Sequence, residues 1–184
     1  MADGTTAQTA PTPSAELLEH FCNTVDLEGG EDELGDAAAV GAWFAGRGLL
    51  DAEVGEDDVR RVVAVREGVR DVLTARAEDR DLTALDELTQ RLHLRVDVRD
   101  ALPRLVPVDA GVDGALEAVL AALVTAATDG SWDRLKVCSR HACRWVFYDT
   151  SRNRSRAWCS MDVCGNKEKT KAYRTRRRGG DGAT

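Results

Sequence analysis

Apolar residues recur at helical intervals through most of the first two thirds of the chain. Leu17, Leu18, Phe21 and Val25 share a face behind Ser14, a good N-cap, and Gly29-Gly30 would close that helix. A second helix is expected from Asp36, with Val40, Trp43 and Phe44 at helical spacing and a stop at Gly46 or Gly48. A long helix is expected over 56–78, carrying Val59, Val62, Val69 and Leu73 on one side, and a short one bears Leu82, Leu85, Leu88 and Leu92. The period then drops to two. Leu94, Val96 and Val98 alternate with Arg95, Asp97 and Arg99, which predicts a strand. Leu105, Val106 and Val108, interrupted by Pro103 and Pro107, supply an edge partner. An Ala-rich helix over 114–128 presents Leu116, Val119, Leu120 and Leu123, and Asp129-Gly130-Ser131 breaks it.

Beyond that break the pattern is short and mixed. Arg144–Asp149 is strand-like, Thr150–Ser155 is a polar turn, and Ala157-Trp158-Cys159 is read as a returning strand. Lys167–Arg178 then reads as a helix. The expected organisation is a disordered tail (1–13), a helical domain with a small β-hairpin (14–130), a small module (131–178) and a second tail (179–184). The fold class is mainly α.

Charge divides the chain at the same place. Residues 131–184 carry 14 Lys/Arg and 5 Asp/Glu, a net of +9; residues 1–130 carry 11 and 27, a net of −16. All four lysines and six of the nine aromatic residues lie in the basic part. Two modules with different partners are implied. No apolar run approaches the ~20 residues of a membrane span, and the first residues lack the basic and apolar segments of an export signal. A cytoplasmic location with reduced thiols is therefore expected.

Four of the five cysteines form two pairs, Cys138 with Cys143 and Cys159 with Cys164. Four residues lie within each pair and fifteen between the pairs. Two short-loop pairs of thiolates suit one tetrahedral zinc ion, and a full set of four leaves no position for a reactive water. The alternative is a disulfide cluster, disfavoured in a reducing compartment. The order of cysteine knuckle, hairpin and helix starting at the last ligand resembles a treble-clef zinc finger. His141, inside the first pair, is read as an exposed loop residue because Cys143 completes the set. Cys22, flanked by Phe21 and Val25, is read as a buried small hydrophobe.

The basic residues cluster around this site. Lys167, Lys171, Arg174 and Arg178 step by four, three and four along the last helix, and the turn adds Arg152, Asn153, Arg154 and Arg156. A solvated face would have the same composition. Few acids and interleaved hydrogen-bonding side chains favour phosphate and base contacts. Arg66 stands where the long helix should be apolar. It either snorkels to a neighbouring carboxylate or points into a cavity able to bind an anionic ligand.

The run Phe147, Asp149, Ser151-Arg152-Asn153-Arg154-Ser155, Trp158-Cys159-Ser160-Met161 and Cys164-Gly165-Asn166 resembles the CGNR zinc finger. The preceding part resembles the helical ABATE domain that accompanies it, through Asn23-Thr24-Val25-Asp26, Trp43 and Arg66. The resemblance implies a bacterial stress-induced transcriptional regulator whose finger binds DNA, one structural zinc ion, and a candidate ligand pocket involving Asn23 and Arg66. Two positions depart from the motif: Lys167 replaces an arginine and Ala157 replaces another. Lysine keeps the charge and loses the bidentate fork.

The expected function is thus a zinc-dependent DNA-binding regulator. Its helical domain would sense a small ligand or self-associate into a homo-oligomer. The alternatives are a zinc-held protein-interaction module and an RNA binder. No phosphate loop and no nucleophile–base pair points to an enzyme.

Overall fold

Thr12, not Ser14, caps the first helix. Its hydroxyl accepts from the Ala15 N–H at 3.3 Å, and Pro13 takes the first helical position, where no N–H is required. Helix α1 (Pro13–Cys22) also ends before the expected glycines, at the Asn23 cap. Val25 belongs instead to β1 (Val25–Asp26), which pairs with β2 (Glu31–Asp32). Thr24 N–H and Oγ1 bond the Phe21 carbonyl where the helix ends, and the Asp26 carboxylate accepts from Glu28 and Gly29 N–H at 2.9 and 3.0 Å to close the β1–β2 turn.

The computed structural model describes residues 10–75, 80–99 and 101–180, with side chains in the final helix as far as Arg174 and excluding Ala172. Most of both expected tails lies outside these residues, as does the stretch 76–78 assigned by expectation to the long helix. Helix α2 (Ala37–Ala45) starts behind Asp36, as its pattern predicts. Helices α3 (Glu56–Thr74) and α4 (Thr83–Thr89) follow. Strands β3 (Leu94–Asp97) and β4 (Arg104–Pro107) form the expected antiparallel hairpin, with Val96 opposite Leu105. Helix α5 (Gly111–Thr128), strands β5 (Leu135–Val137) and β6 (Val146–Tyr148), and helix α6 (Asn166–Gly180) complete the order.

Helices α1, α3 and α5 pack on one another around Phe21, Val62, Val69, Leu116 and Val119. Phe21, Trp43 and Phe44 form an aromatic cluster, with Trp43 edge-on to Phe44 at 4.9 Å. Gly68 lets α4 approach α3: a Cβ there would lie 2.8 Å from Leu85 Cδ1 and 2.9 Å from its Cβ. By length and composition α5 is apolar enough to cross a membrane, unlike any run expected from the sequence, but 56% of it is buried inside the fold. Within its buried face Glu117 is wholly enclosed. Its carboxylate accepts from the N–H groups of His93, Val108 and Asp109 at 2.7, 2.7 and 3.0 Å, which ties the β3–β4 hairpin to the helix.

The second hairpin departs from expectation. Strand β6 pairs with β5, ahead of the first cysteine, and not with 157–159. Leu135 faces Tyr148 and Val137 faces Val146. Leu135, Val146 and Tyr148 are buried in the same core as α1 and α3, so the hydrophobic core crosses the break at residue 130. The reason is the alternation in Leu135-Lys136-Val137, together with Asp149, whose side chain bends the chain away directly after β6.

Candidate metal centre and basic face

The first cysteine pair sits at the tip of the β5–β6 hairpin. Cys138 N–H donates to Trp145 O at 2.8 Å, extending the ladder, and Cys143 N–H donates to Arg140 O at 2.8 Å to close the knuckle. Arg144 takes a left-handed conformation (φ 49°) to re-enter the strand, and its guanidinium reaches Asp71 on α3 at 2.6 Å. The second pair is carried by a turn. Ser160 Oγ accepts from Val163 N–H, a wide turn runs over Met161–Gly165, and α6 begins immediately after it.

These elements bring all four sulfurs within 4.8 Å of one another. Cys159 Sγ lies 3.7 Å from both Cys143 Sγ and Cys164 Sγ. A tetrahedron with Zn–S bonds of ~2.3 Å has edges of about 3.8 Å, which the two edges at Cys159 match. Burial and mutual repulsion push the Cys143 thiol up to about 11 and Cys159 further. Cys164 is lowered instead, its burial outweighed by bonds from Cys143 and Arg140, and a divalent cation would favour the thiolate form of its ligands. The residues fit a single closed zinc site. Phe147 and Trp158 pack against the cysteines, and His141 is exposed outside the set. Cys22 is buried, with its thiol raised to about 12 by desolvation, consistent with a packing role.

The loop between the pairs is organised from inside. Asp149 is fully buried and binds the Lys136 ammonium at 2.7 Å and the N–H groups of Ser151 and Arg156 at 2.9 Å each. Burial would raise this carboxyl, but Lys136 and the N–H donors outweigh it and hold it below the usual carboxylate range. Lys136 also donates to the carbonyls of Arg154 and Arg156, and buried Arg134 donates to those of Asp149 and Ser151. Neither Lys136 nor Arg134 was legible as a site residue. The one available signal was a lysine between two inward-facing apolar neighbours.

The sequence-predicted contact residues separate into distinct groups. Arg152 and Asn153 are exposed at the loop tip, and Arg154 is exposed but pairs with Asp133 at 3.1 Å. Arg156 is engaged internally, donating to Cys159 O at 2.6 Å with its guanidinium 4.9 Å from the Phe147 ring centre. On α6, Lys167, Lys171 and Arg174 line one shallow groove of about 760 Å³ with Asp162, Val163, Asn166 and Thr170. The Arg178 side chain lies outside the described residues. Lys167 also reaches Glu28 in the β1–β2 turn at 2.8 Å, and Arg140 in the knuckle grips the same carboxylate. Together they hold the Glu28 carboxyl down at about 2.

The expected ligand pocket takes a different form. Arg66 is 2% exposed and makes a bidentate pair with Asp32 at 2.7 and 2.8 Å, with further bonds to Thr24 and Glu67. Of the two alternatives the structure shows the neighbouring carboxylate, supplied by Asp32 on β2 and by Glu67 on the same helix. Asn23 is engaged elsewhere, with its amide bonded to the backbone of Val146. The two side chains do not meet in a shared anion site.

Comparison with known families agrees with this arrangement. Residues 134–177 match the family model described as CGNR zinc finger. Residues 15–135 match the ABATE model, described as "Putative stress-induced transcription regulator". No curated protein matches the chain. A helical body over most of its length, joined to a four-cysteine cage able to hold one zinc ion, places this chain in the ABATE family, with a CGNR zinc finger after the helical part.

Proposed function

We propose that the chain is a zinc-dependent DNA-binding regulator in which the metal is structural. The observation that carries this reading is the start of α6 at the fourth sulfur, with Lys167, Lys171 and Arg174 along one groove. Zinc would fix the helix origin, and the helix would present its cations to phosphates, with the exposed Arg152 and Asn153 loop as a second contact. Four thiolates fill a tetrahedral ion, so the reading assigns no catalysis to it. A labelled duplex titrated with zinc-loaded protein, before and after chelation, tests it. Salt-sensitive binding that is lost with the metal supports the reading, and binding indifferent to chelation defeats it.

For the helical part we favour self-association over ligand sensing. Arg66 and Asn23 are engaged internally, whereas Val96, Val98 and Leu102 on the β3–β4 hairpin are 60%, 64% and 75% exposed. Antiparallel pairing of β3 with its copy about Val96 would set Leu94 opposite Val98 and Arg95 opposite Asp97. Sedimentation of wild type and Val96→Asp separates the cases: a dimer lost in the variant supports pairing, and a wild-type monomer at all concentrations rejects it.

A further inference from the structure

The fixed and movable halves of one ion cluster come from different parts of the fold. Arg140 presents both terminal nitrogens to the two Glu28 oxygens at 2.6 Å each, and Lys167 Nζ reaches Oε1 at 2.8 Å. A guanidinium fork beside an ammonium is also the chemistry that holds the two non-bridging oxygens of a phosphodiester. Arg140 is anchored. Its side chain is 11% exposed, lies 3.9 Å from Cys164 Sγ, and belongs to the closed knuckle. Lys167 stands in the first turn of α6, where the helix end adds positive potential. Glu28 is different. It rides on the turn between two two-residue strands, beside Gly29 and Gly30, with 43% of its side chain exposed.

We infer that Arg140 and Lys167 form a phosphodiester-binding site that the chain fills with its own Glu28 carboxylate, so that nucleic acid must displace Glu28 to reach the base of α6. The ligand rests on the DNA-binding reading above; the anion site itself rests on the geometry alone. The pair is bidentate on Arg140, but Glu28 is 43% exposed, so salt screens it. A duplex, by contrast, offers a phosphate charge about every 1.7 Å. Exchange of one anion for another at Arg140 and Lys167 is thus close to balanced, and the occupant decides whether the helix is accessible. Glu28 acts as an internal competitor placed by the helical part on the finger.

The test uses the full zinc-loaded chain as wild type, Glu28→Gln and Glu28→Gln/Arg140→Gln, with equal zinc content and circular dichroism checked first. Affinity for a labelled random-sequence duplex is read by anisotropy at several salt concentrations. In parallel, inorganic pyrophosphate is titrated while the Arg140 Nε–H and Lys167 amide signals are followed by NMR. Glu28→Gln is expected to bind the duplex roughly fivefold more tightly at low salt. Its salt slope should be steeper by about one. The double variant loses that gain, and pyrophosphate moves the Arg140 and Lys167 signals at lower concentration in Glu28→Gln than in wild type. Equal duplex affinity with unmoved Arg140 signals overturns the inference, as does pyrophosphate binding that Glu28→Gln leaves unchanged. If no form binds duplex while pyrophosphate still reaches Arg140 more readily in Glu28→Gln, the anion site stands and the DNA reading falls.

Discussion

The Asn23 side chain pairs with the backbone of Val146 as a strand neighbour would: Nδ2 donates to its carbonyl at 2.7 Å and Oδ1 accepts from its N–H at 2.8 Å. One residue thereby ends α1 and fastens the edge of the zinc-bearing hairpin. Asn23→Ala leaves both Val146 groups without that partner. It should cost about 2 kcal/mol, read as a lower urea midpoint of the zinc-loaded protein. An unchanged midpoint would show that water replaces the amide without loss.

Metal removal should not act on the finger alone. Leu135, Val146 and Tyr148 lie in the helical core, so loosening the hairpin tip unsettles its root. Chelation, or Cys164→Ser, should lower the melting temperature of the whole chain in one shifted transition and bring zinc from one ion per chain to none. A helical melt untouched by chelation would contradict the shared core.

The Arg66–Asp32 pair sets a stability cost with a defined pH signature. Asp32→Asn leaves the guanidinium of Arg66, 3% exposed, with Glu67 as its remaining counter-charge. The expected loss is about 2–3 kcal/mol, below that of a fully buried pair because Asp32 is 29% exposed. Bonding to Arg66 lowers the Asp32 carboxyl in the folded chain. Its contribution is therefore complete above the unfolded value of about 3.9 and disappears as pH falls through the lower folded value. The stability gap between wild type and Asp32→Asn, measured by urea unfolding, should close below about pH 4. A gap that persists unchanged to pH 2 would assign the loss to packing.

Cations on the chain should divide by what they touch. Lys171→Gln and Arg174→Gln, on the groove, are each expected to weaken duplex binding and reduce the salt slope by about one with stability intact. Arg156→Gln removes the bond to Cys159 O and the contact with Phe147, and should lower melting temperature more than it changes the slope. The reverse pattern would relocate the nucleic-acid surface to the loop.

Tyr148 offers a gain. Its hydroxyl is buried without a hydrogen-bond partner among the described residues, and burial raises its pKa. Tyr148→Phe removes an unsatisfied group at nearly constant volume. Stability should hold or rise by up to about 1 kcal/mol in thermal unfolding. A clear loss would reveal a partner for the hydroxyl.

What could be read in advance follows from how local each signal is. Period and capping placed α2, α3, the β3–β4 hairpin and α5, because each depends on neighbours in sequence. Cysteine spacing placed the metal ligands for the same reason. The pairing of β5 with β6 was missed, since three residues of alternation are too short to stand out. Arg66 was legible as an anomaly, while Asp32, 34 positions away, was not. Glu28 and Arg140 meet across 112 positions, and nothing local marks either.

The hairpin also bears on any attempt to move this finger to another protein. A segment cut at Cys138 leaves behind β5, the strand on which the first knuckle is built, and Asn23, which bonds the outer edge of β6 at Val146. A chimaera that keeps its knuckle ordered therefore has to carry the junction from Leu135 onward, together with a recipient helix ending in an amide at the position of Asn23.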